Sequence, residues 1–178
     1  MRKLRNEELD RLTIEEMKKA VKNPLVIVLD NIRSMNNIGS AFRTADAFLC
    51  EKIVLCGITA QPPHREIHKT ALGATDSVDW EYHENSMGAI ESLKKQGYKI
   101  ASIEQADESI LLEKFEMQTN EKIALIFGNE VKGVSSEIVE ESDYVIEIPQ
   151  FGSKHSINVA VSIGVILWDL ISKLKFNS

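Results

Sequence analysis

The sequence predicts an α/β protein built on a mainly parallel β-sheet with helices on both faces. Three observations carry this expectation. Short apolar runs rich in β-branched residues recur along the chain; Leu25-Val-Ile-Val-Leu-Asp30 is the clearest, and an unbroken run of that length suits a strand buried on both faces. Segments with apolar residues at helical spacing lie between the runs. The 178 residues, 43% hydrophobic and 27% charged with 9 Gly and 4 Pro, have the balance of one ordinary globular core rather than of a disordered or collagenous chain.

Taken in order, Thr13-Ile-Glu-Glu16 fits a capping box and Asn23-Pro24 a stop, which places a short amphipathic helix over Ile14 to Lys22. Leu25 to Asp30 is the first strand. Ile38, Ala41, Phe42, Ala45, Phe48 and Leu49 form one stripe of a helix over Asn37 to Leu49. Strands follow at Lys52 to Leu55, Lys99 to Ile103, Ile123 to Phe127 and Tyr144 to Ile148, with a weaker one at Val78 to Tyr82. Ser86 to Gln96 and Ser135 to Glu141 read as shorter helices, and Ser156 to Leu174 as a long one. His64, Arg65, His68 and Lys69 are assigned to a loop. Residues 1–24 are read as a helical extension and residues 25–178 as the main domain.

Composition also excludes function classes. The longest apolar-rich run, Ile157 to Trp168, is broken by Asn158, Ser162 and Gly164 and falls short of the ~20 residues that span a bilayer. The N-terminus turns from basic to acidic without an apolar stretch, so no secretory signal is read there and a cytoplasmic location is expected. Cys50 and Cys56 have no metal-type spacing and are read as buried, reduced thiols. A net charge of −6 argues against nonspecific coating of nucleic acid, which relies on many Lys and Arg, but leaves room for a local basic patch.

Ligands of open α/β sheets bind beyond the carboxyl ends of the strands. Three loops there combine glycine, which lets backbone approach a ligand, with polar side chains: Asn31 to Gly39, Gly128 to Gly133, and Pro149 to Asn158. They are expected to converge. Gly128-x4-Gly133 has the spacing of a phosphate-binding loop but lacks the following lysine, and no GxGxxG follows a strand. His64 and His68 have Arg65-Glu66-Ile67 between them and no third partner, so no metal site is assigned. Ser153, His155 and Ser156 are too close in sequence for a triad, and no GxSxG exists.

The loops match something specific. Asn37-x-Gly39-x-x-x-Arg43-x-Ala45, Phe127-Gly-Asn-Glu130-x-x-Gly133-x-Ser135 and Ile148-Pro-x-x-Gly152-x-x-x-Ser156-x-Asn158-Val159 resemble, in order and spacing, the three motifs of the SpoU (TrmH-like) RNA 2′-O-ribose methyltransferases of the SPOUT superfamily. The likeness runs from Leu25 into the last helix. Gln150 stands where the family commonly has Met, Ile157 where it has Leu and Ala160 where Ser is frequent.

The resemblance implies a C-terminal trefoil knot, which general topology rules would never suggest. It implies S-adenosyl-L-methionine as cofactor, held by Ile103, Gly128, Ile148, Ser156 and Ile157. Asn37, Arg43, Glu130, Ser156 and Asn158 would do the polar work on a tRNA or rRNA substrate, and Arg65, Lys69 and Lys154 are the candidates for RNA contact.

Each polar residue also has a plain structural reading. Asn37 could cap the following helix, Ser156 and Asn158 the last one, Glu130 could be a first-turn acid of the helix after it, and Arg43 a solvated face residue beside Gly39. In mechanism, a guanidinium keeps its proton up to about pH 12, so Arg43 is assigned as a charge clamp on the 3′-phosphate and nascent alkoxide rather than as a base. The competing readings are a non-catalytic RNA-binding or assembly factor that keeps the fold and a small-molecule methyltransferase. A last helix apolar on all sides must be buried on all sides, so a homodimer packed through it is expected, unless Ile14, Met17 and Val21 of the first helix cover it.

Overall fold

A computed structural model of the chain describes residues 1–118 and 120–176. The strands are β1 (Asn23–Asp30), β2 (Cys50–Cys56), β3 (Asp79–His83), β4 (Lys99–Ile103), β5 (Ile110–Leu111), β6 (Ile123–Phe127) and β7 (Tyr144–Glu147). The helices are α1 (Ile14–Lys19), α2 (Met35–Ala47), α3 (Arg65–Ala71), α4 (Ala74–Ser77), α5 (Ser86–Lys95), α6 (Ser136–Glu140) and α7 (Val159–Phe176). All seven strands join one sheet in the order β3-β2-β1-β6-β4-β7-β5, and every ladder in it is parallel.

The continuous apolar runs are explained by this sheet, because side chains alternate between two covered faces. Leu25, Ile27, Leu29, Ile53, Leu55, Leu125 and Phe127 point to one face with the buried residues of α2, α3 and α7. Val26, Val28, Val54, Ala124 and Ile126 point to the other, against Ala89, Ile90 and Leu93 of α5 and Ile138 of α6. Cys50 and Cys56 are buried and unbridged. Burial pushes both thiols up to about 12, so neither is a nucleophile near neutral pH.

Several boundaries differ from the sequence expectation. The Thr13/Glu16 capping box forms, but α1 ends at Lys19, where the Ala20 backbone turns extended. The segment expected to be a loop around Arg65 and Lys69 is α3: the His64 ring accepts a hydrogen bond from the Glu66 N–H, and Leu72 closes the helix in the left-handed region at φ 49°, a place usually taken by glycine. The short α4 and two-residue β5 carry too little periodicity to be read from sequence. The last helix begins at Val159, three residues later than expected.

On α7, Ile163, Ile166, Leu167 and Leu170 are buried against α2 and the sheet. Lys173 ties the helix to the turn at Leu112–Lys114 by donating to the carbonyls of Leu112 (2.6 Å) and Phe115 (2.9 Å). The opposite face is bare. Val161, Val165 and Trp168, spaced 4 and 3 apart, line one side, and Val161 and Trp168 are 54% and 63% exposed. Cover by the first helix is not what the fold provides: α1 packs on α4, only Met17 is buried, and Val21 is 94% exposed.

Candidate functional site

Because the ladders are all parallel, the adjacent strands β1, β6, β4 and β7 deliver their following loops to one edge of the sheet. A cavity of about 770 Å³ opens there. Its walls come from the end of β4 (Ile103, Glu104), the loop after β6 (Gly128 to Val134), α6, and the segment from Ile148 to Val159. All five residues assigned to the cofactor, Ile103, Gly128, Ile148, Ser156 and Ile157, line it, as do Glu130 and Asn158.

Gly128 is there for a steric reason. A Cβ on it would run into the backbone of Gly133 and Val134, because the loop folds back on itself through the Gly133 N–H to Asn129 carbonyl bond (2.8 Å). Gly133 itself sits at φ 68°, where glycine is at ease.

The polar residues form a chain across the three loops. Glu130 accepts from the backbone N–H groups of Arg33 and Ser34 (both 3.0 Å) and from the Asn37 amide (3.0 Å). Asn37 in turn accepts from the Asn158 amide (3.1 Å), and the Asn158 oxygen accepts from the Ala160 N–H (2.9 Å). Burial pushes the Glu130 carboxyl up, but the Arg33 and Ser34 N–H groups, with help from Asn37, outweigh it and hold the group below the ordinary carboxylate range.

Several structural readings are corrected by this geometry. Ser34, not Asn37, caps α2, accepting from the Asn37 N–H (3.3 Å). Glu130 serves the entry to α2, ninety-odd residues earlier in the chain, through the N–H groups of Arg33 and Ser34 and the Asn37 amide, rather than the helix that follows it. Asn158 does cap α7, while Ser156 lies outside the helix, exposed on the cavity wall.

Asn37 and Arg43 do not line the cavity themselves. Asn37 reaches it through its two partners. Arg43 is exposed on α2 and makes no ion pair or side-chain hydrogen bond among the described residues. Gly39 does not share that open face, because it is buried where α2 meets α3, and a Cβ there would collide with Thr70 and the Ile67 carbonyl. Of the basic candidates, Arg65 and Lys154 are exposed and Lys69 is paired with Glu66 (2.7 Å).

Sequence reasoning missed two loop-fixing residues. Asn129 donates to the Asn31 carbonyl (2.7 Å) and accepts from the Val131 and Lys132 N–H groups (3.0 and 3.1 Å), locking the loop after β6 to the loop after β1. Glu104 accepts from the Val134 N–H (2.9 Å) and from the Gln105 N–H (2.9 Å). The Gly-Asn-Glu run could have flagged Asn129; nothing at Glu104 could, because its partner is thirty residues away.

Residues 24–168 match the model of the SpoU rRNA Methylase family. The chain belongs to this family, and by class it is an RNA methyltransferase. Among its relatives, a tRNA (guanosine(18)-2′-O)-methyltransferase of Borreliella burgdorferi is 27% identical over 93% of this chain and 74% of its own length. A 23S rRNA (guanosine-2′-O-)-methyltransferase, RlmB, of Neisseria meningitidis is 30% identical over 81% of this chain, which spans 56% of that relative. Among solved structures, the A. aeolicus TrmH/SpoU tRNA modifying enzyme superposes with a TM-score of 0.75 at 28% identity, covering 88% of this chain and 77% of that one. An AdoMet-bound rRNA methyltransferase from Sinorhizobium meliloti shares the fold, with a TM-score of 0.79 at 23% identity over 91% of this chain and 61% of that one.

Proposed function

We propose that the protein transfers the methyl group of S-adenosyl-L-methionine to a ribose 2′-hydroxyl of tRNA or rRNA. The observation that carries this is the hydrogen-bonded chain Glu130–Asn37–Asn158, which ties all three motif loops together at the rim of the cavity.

The cavity suits the cofactor. Its volume lies within the range of small-molecule sites. Ile103, Ile148 and Ile157 offer apolar surface to a flat ring, and the glycine at position 128 lets backbone come close. Glu104, Glu130 and Glu140 surround it with carboxylates, in keeping with a ligand that carries a sulfonium. When bound, the cofactor supplies a methyl group already activated by that sulfonium.

The chain's own residues then have to place and charge-stabilise the attacking hydroxyl. Glu130, spent on three donors, holds the backbone that leads into α2 and fixes Asn37. Asn37 and Asn158 orient the ribose at the rim, with Ser156 beside them. Arg43, without an ion pair or side-chain hydrogen bond among the described residues, clamps the 3′-phosphate and the alkoxide that develops as the hydroxyl loses its proton to phosphate or solvent. Arg65 and Lys154 hold flanking phosphates, joined by Lys69 when it exchanges Glu66 for RNA.

The finer architecture follows the same reading. Residues 25–178 are the catalytic domain and residues 1–24 an extension to it. The segment after β7 threads a trefoil knot; β7 lies between β4 and β5 in the sheet, so the chain leaves it beside loops already laid down. The protein works as a cytoplasmic homodimer, packed through the bare stripe of α7. No helix among the described residues is long and apolar enough to cross a membrane.

The test is transfer of label from S-adenosyl-L-methionine to tRNA or rRNA taken from a strain lacking the gene, with no metal added. Acceptance by one RNA supports the reading. Tight RNA binding with cofactor bound and no transfer would favour the non-catalytic assembly factor instead.

A further inference from the structure

Glu104 lies on the cavity wall at the end of β4, outside all three motifs. Its two oxygens each take one backbone N–H, Oε2 from Val134 and Oε1 from Gln105. An ionised carboxylate has about four acceptor positions. Among the described residues two are therefore left, on a side chain that borders the cavity. The other acidic residues there differ: Glu130 is committed to three donors at the entry to α2, and Glu140 rides on α6 rather than on a strand end. The turn that Glu104 grips is itself built around it, since a Cβ on Gly133 would strike its carboxylate.

Resting on the cofactor reading above, we propose that Glu104 is a binding residue that accepts the vicinal hydroxyls of the cofactor's ribose while it pins the Gly133–Val134 turn. The carboxylate is an acceptor with no proton to give, so it selects for a donor pair. A vicinal diol on the ligand supplies two O–H donors at neighbouring positions, matching the two acceptor positions left over. Because Ile103 precedes it on the same strand end, the ring and the diol of one nucleoside meet adjacent residues.

The test is a binding cycle by calorimetry, using S-adenosylhomocysteine and its 2′,3′-dideoxy analogue against the wild type, Glu104→Gln and Glu104→Ala. Hydrogen bonds to a charged group are worth enough that the wild type should lose about tenfold or more in affinity for the dideoxy compound. Glu104→Ala should weaken S-adenosylhomocysteine by a similar factor but bind the two compounds alike, and Glu104→Gln should fall between. A residue that only pins the turn would weaken both compounds equally and leave the wild-type preference intact in the variants, which would overturn the assignment. Equal affinity of the wild type for the two compounds overturns it without any variant, whether or not the variants fold. If the wild type binds neither compound, the cofactor reading itself fails, and this assignment with it.

Discussion

At the scale of single residues, the roles proposed for Arg43 and Glu130 can be separated by kinetics and pH. Arg43 does not line the cavity and makes no ion pair or side-chain hydrogen bond among the described residues, so its removal should leave the cofactor site alone. Arg43→Ala is expected to lower kcat by about a hundredfold or more with cofactor affinity essentially unchanged, as befits a contact made in the transition state. Calorimetry that finds cofactor binding abolished would move Arg43 into the pocket. Glu130 has its carboxyl held below the ordinary range by the Arg33 and Ser34 N–H groups against the cost of burial. A carboxyl depressed in the folded state contributes stability that is present above its unfolded pKa of about 4.3 and lost as pH falls through its lower folded value. Glu130→Gln should therefore flatten part of the fall in melting temperature below about pH 4.3, and should lower activity at neutral pH because Arg33 and Ser34 donate to different oxygens, one of which the variant replaces with an NH2 that cannot accept. A melting curve against pH that superposes on the wild type would remove Glu130 from the acid response.

At the scale of elements, the close approach of α2 and α3 decides where Arg43 and Arg65 lie relative to the cavity edge. Gly39 makes that approach possible, and Thr70 spans it by donating to the Asn36 carbonyl (3.1 Å). Gly39→Ala is expected to cost about 1–3 kcal/mol through forced overpacking. Thermal unfolding of that variant unchanged from the wild type would contradict the packing. The seven-stranded sheet was legible at its centre and blurred at its edges for a physical reason. β1 and β6 are buried on both faces and read as unbroken apolar runs, and β2 and β4 carry shorter apolar stretches, whereas edge strand β3 is half exposed and β5 has only two residues. α3 was hidden because its stop is Leu72 in a left-handed conformation and its start is a histidine cap, neither of which is a common signal. At the site, glycine and polar spacing revealed the three loops, and the cavity lining came from the family resemblance. Neither could reveal that Glu130 holds the backbone leading into a helix of another motif, because that partnership exists only once β1 and β6 pair.

At the scale of the molecule, an acidic chain must bind RNA with few cations, so affinity should fall with salt from a modest starting point. Charge reversal at Arg65 and Lys154 together should weaken RNA binding and flatten its salt dependence; an unchanged titration would put the basic patch elsewhere. The bare stripe Val161, Val165 and Trp168 predicts a dimer, and sedimentation at nanomolar concentration should show no folded, active species near the monomer mass. Trp168→Glu should separate the subunits; a monomeric and fully active variant would sink the dimer. The central claim is narrower than methylation of RNA: the acceptor is the ribose 2′-hydroxyl. It is tested most directly by labelling tRNA and rRNA in vitro, hydrolysing the product in alkali and weighing the fragments by mass spectrometry. The account predicts label in an alkali-resistant dinucleotide whose extra methyl resides on the sugar, since a 2′-O-methyl group removes the nucleophile that cleaves the next phosphodiester. Label recovered on a base in mononucleotides would contradict it.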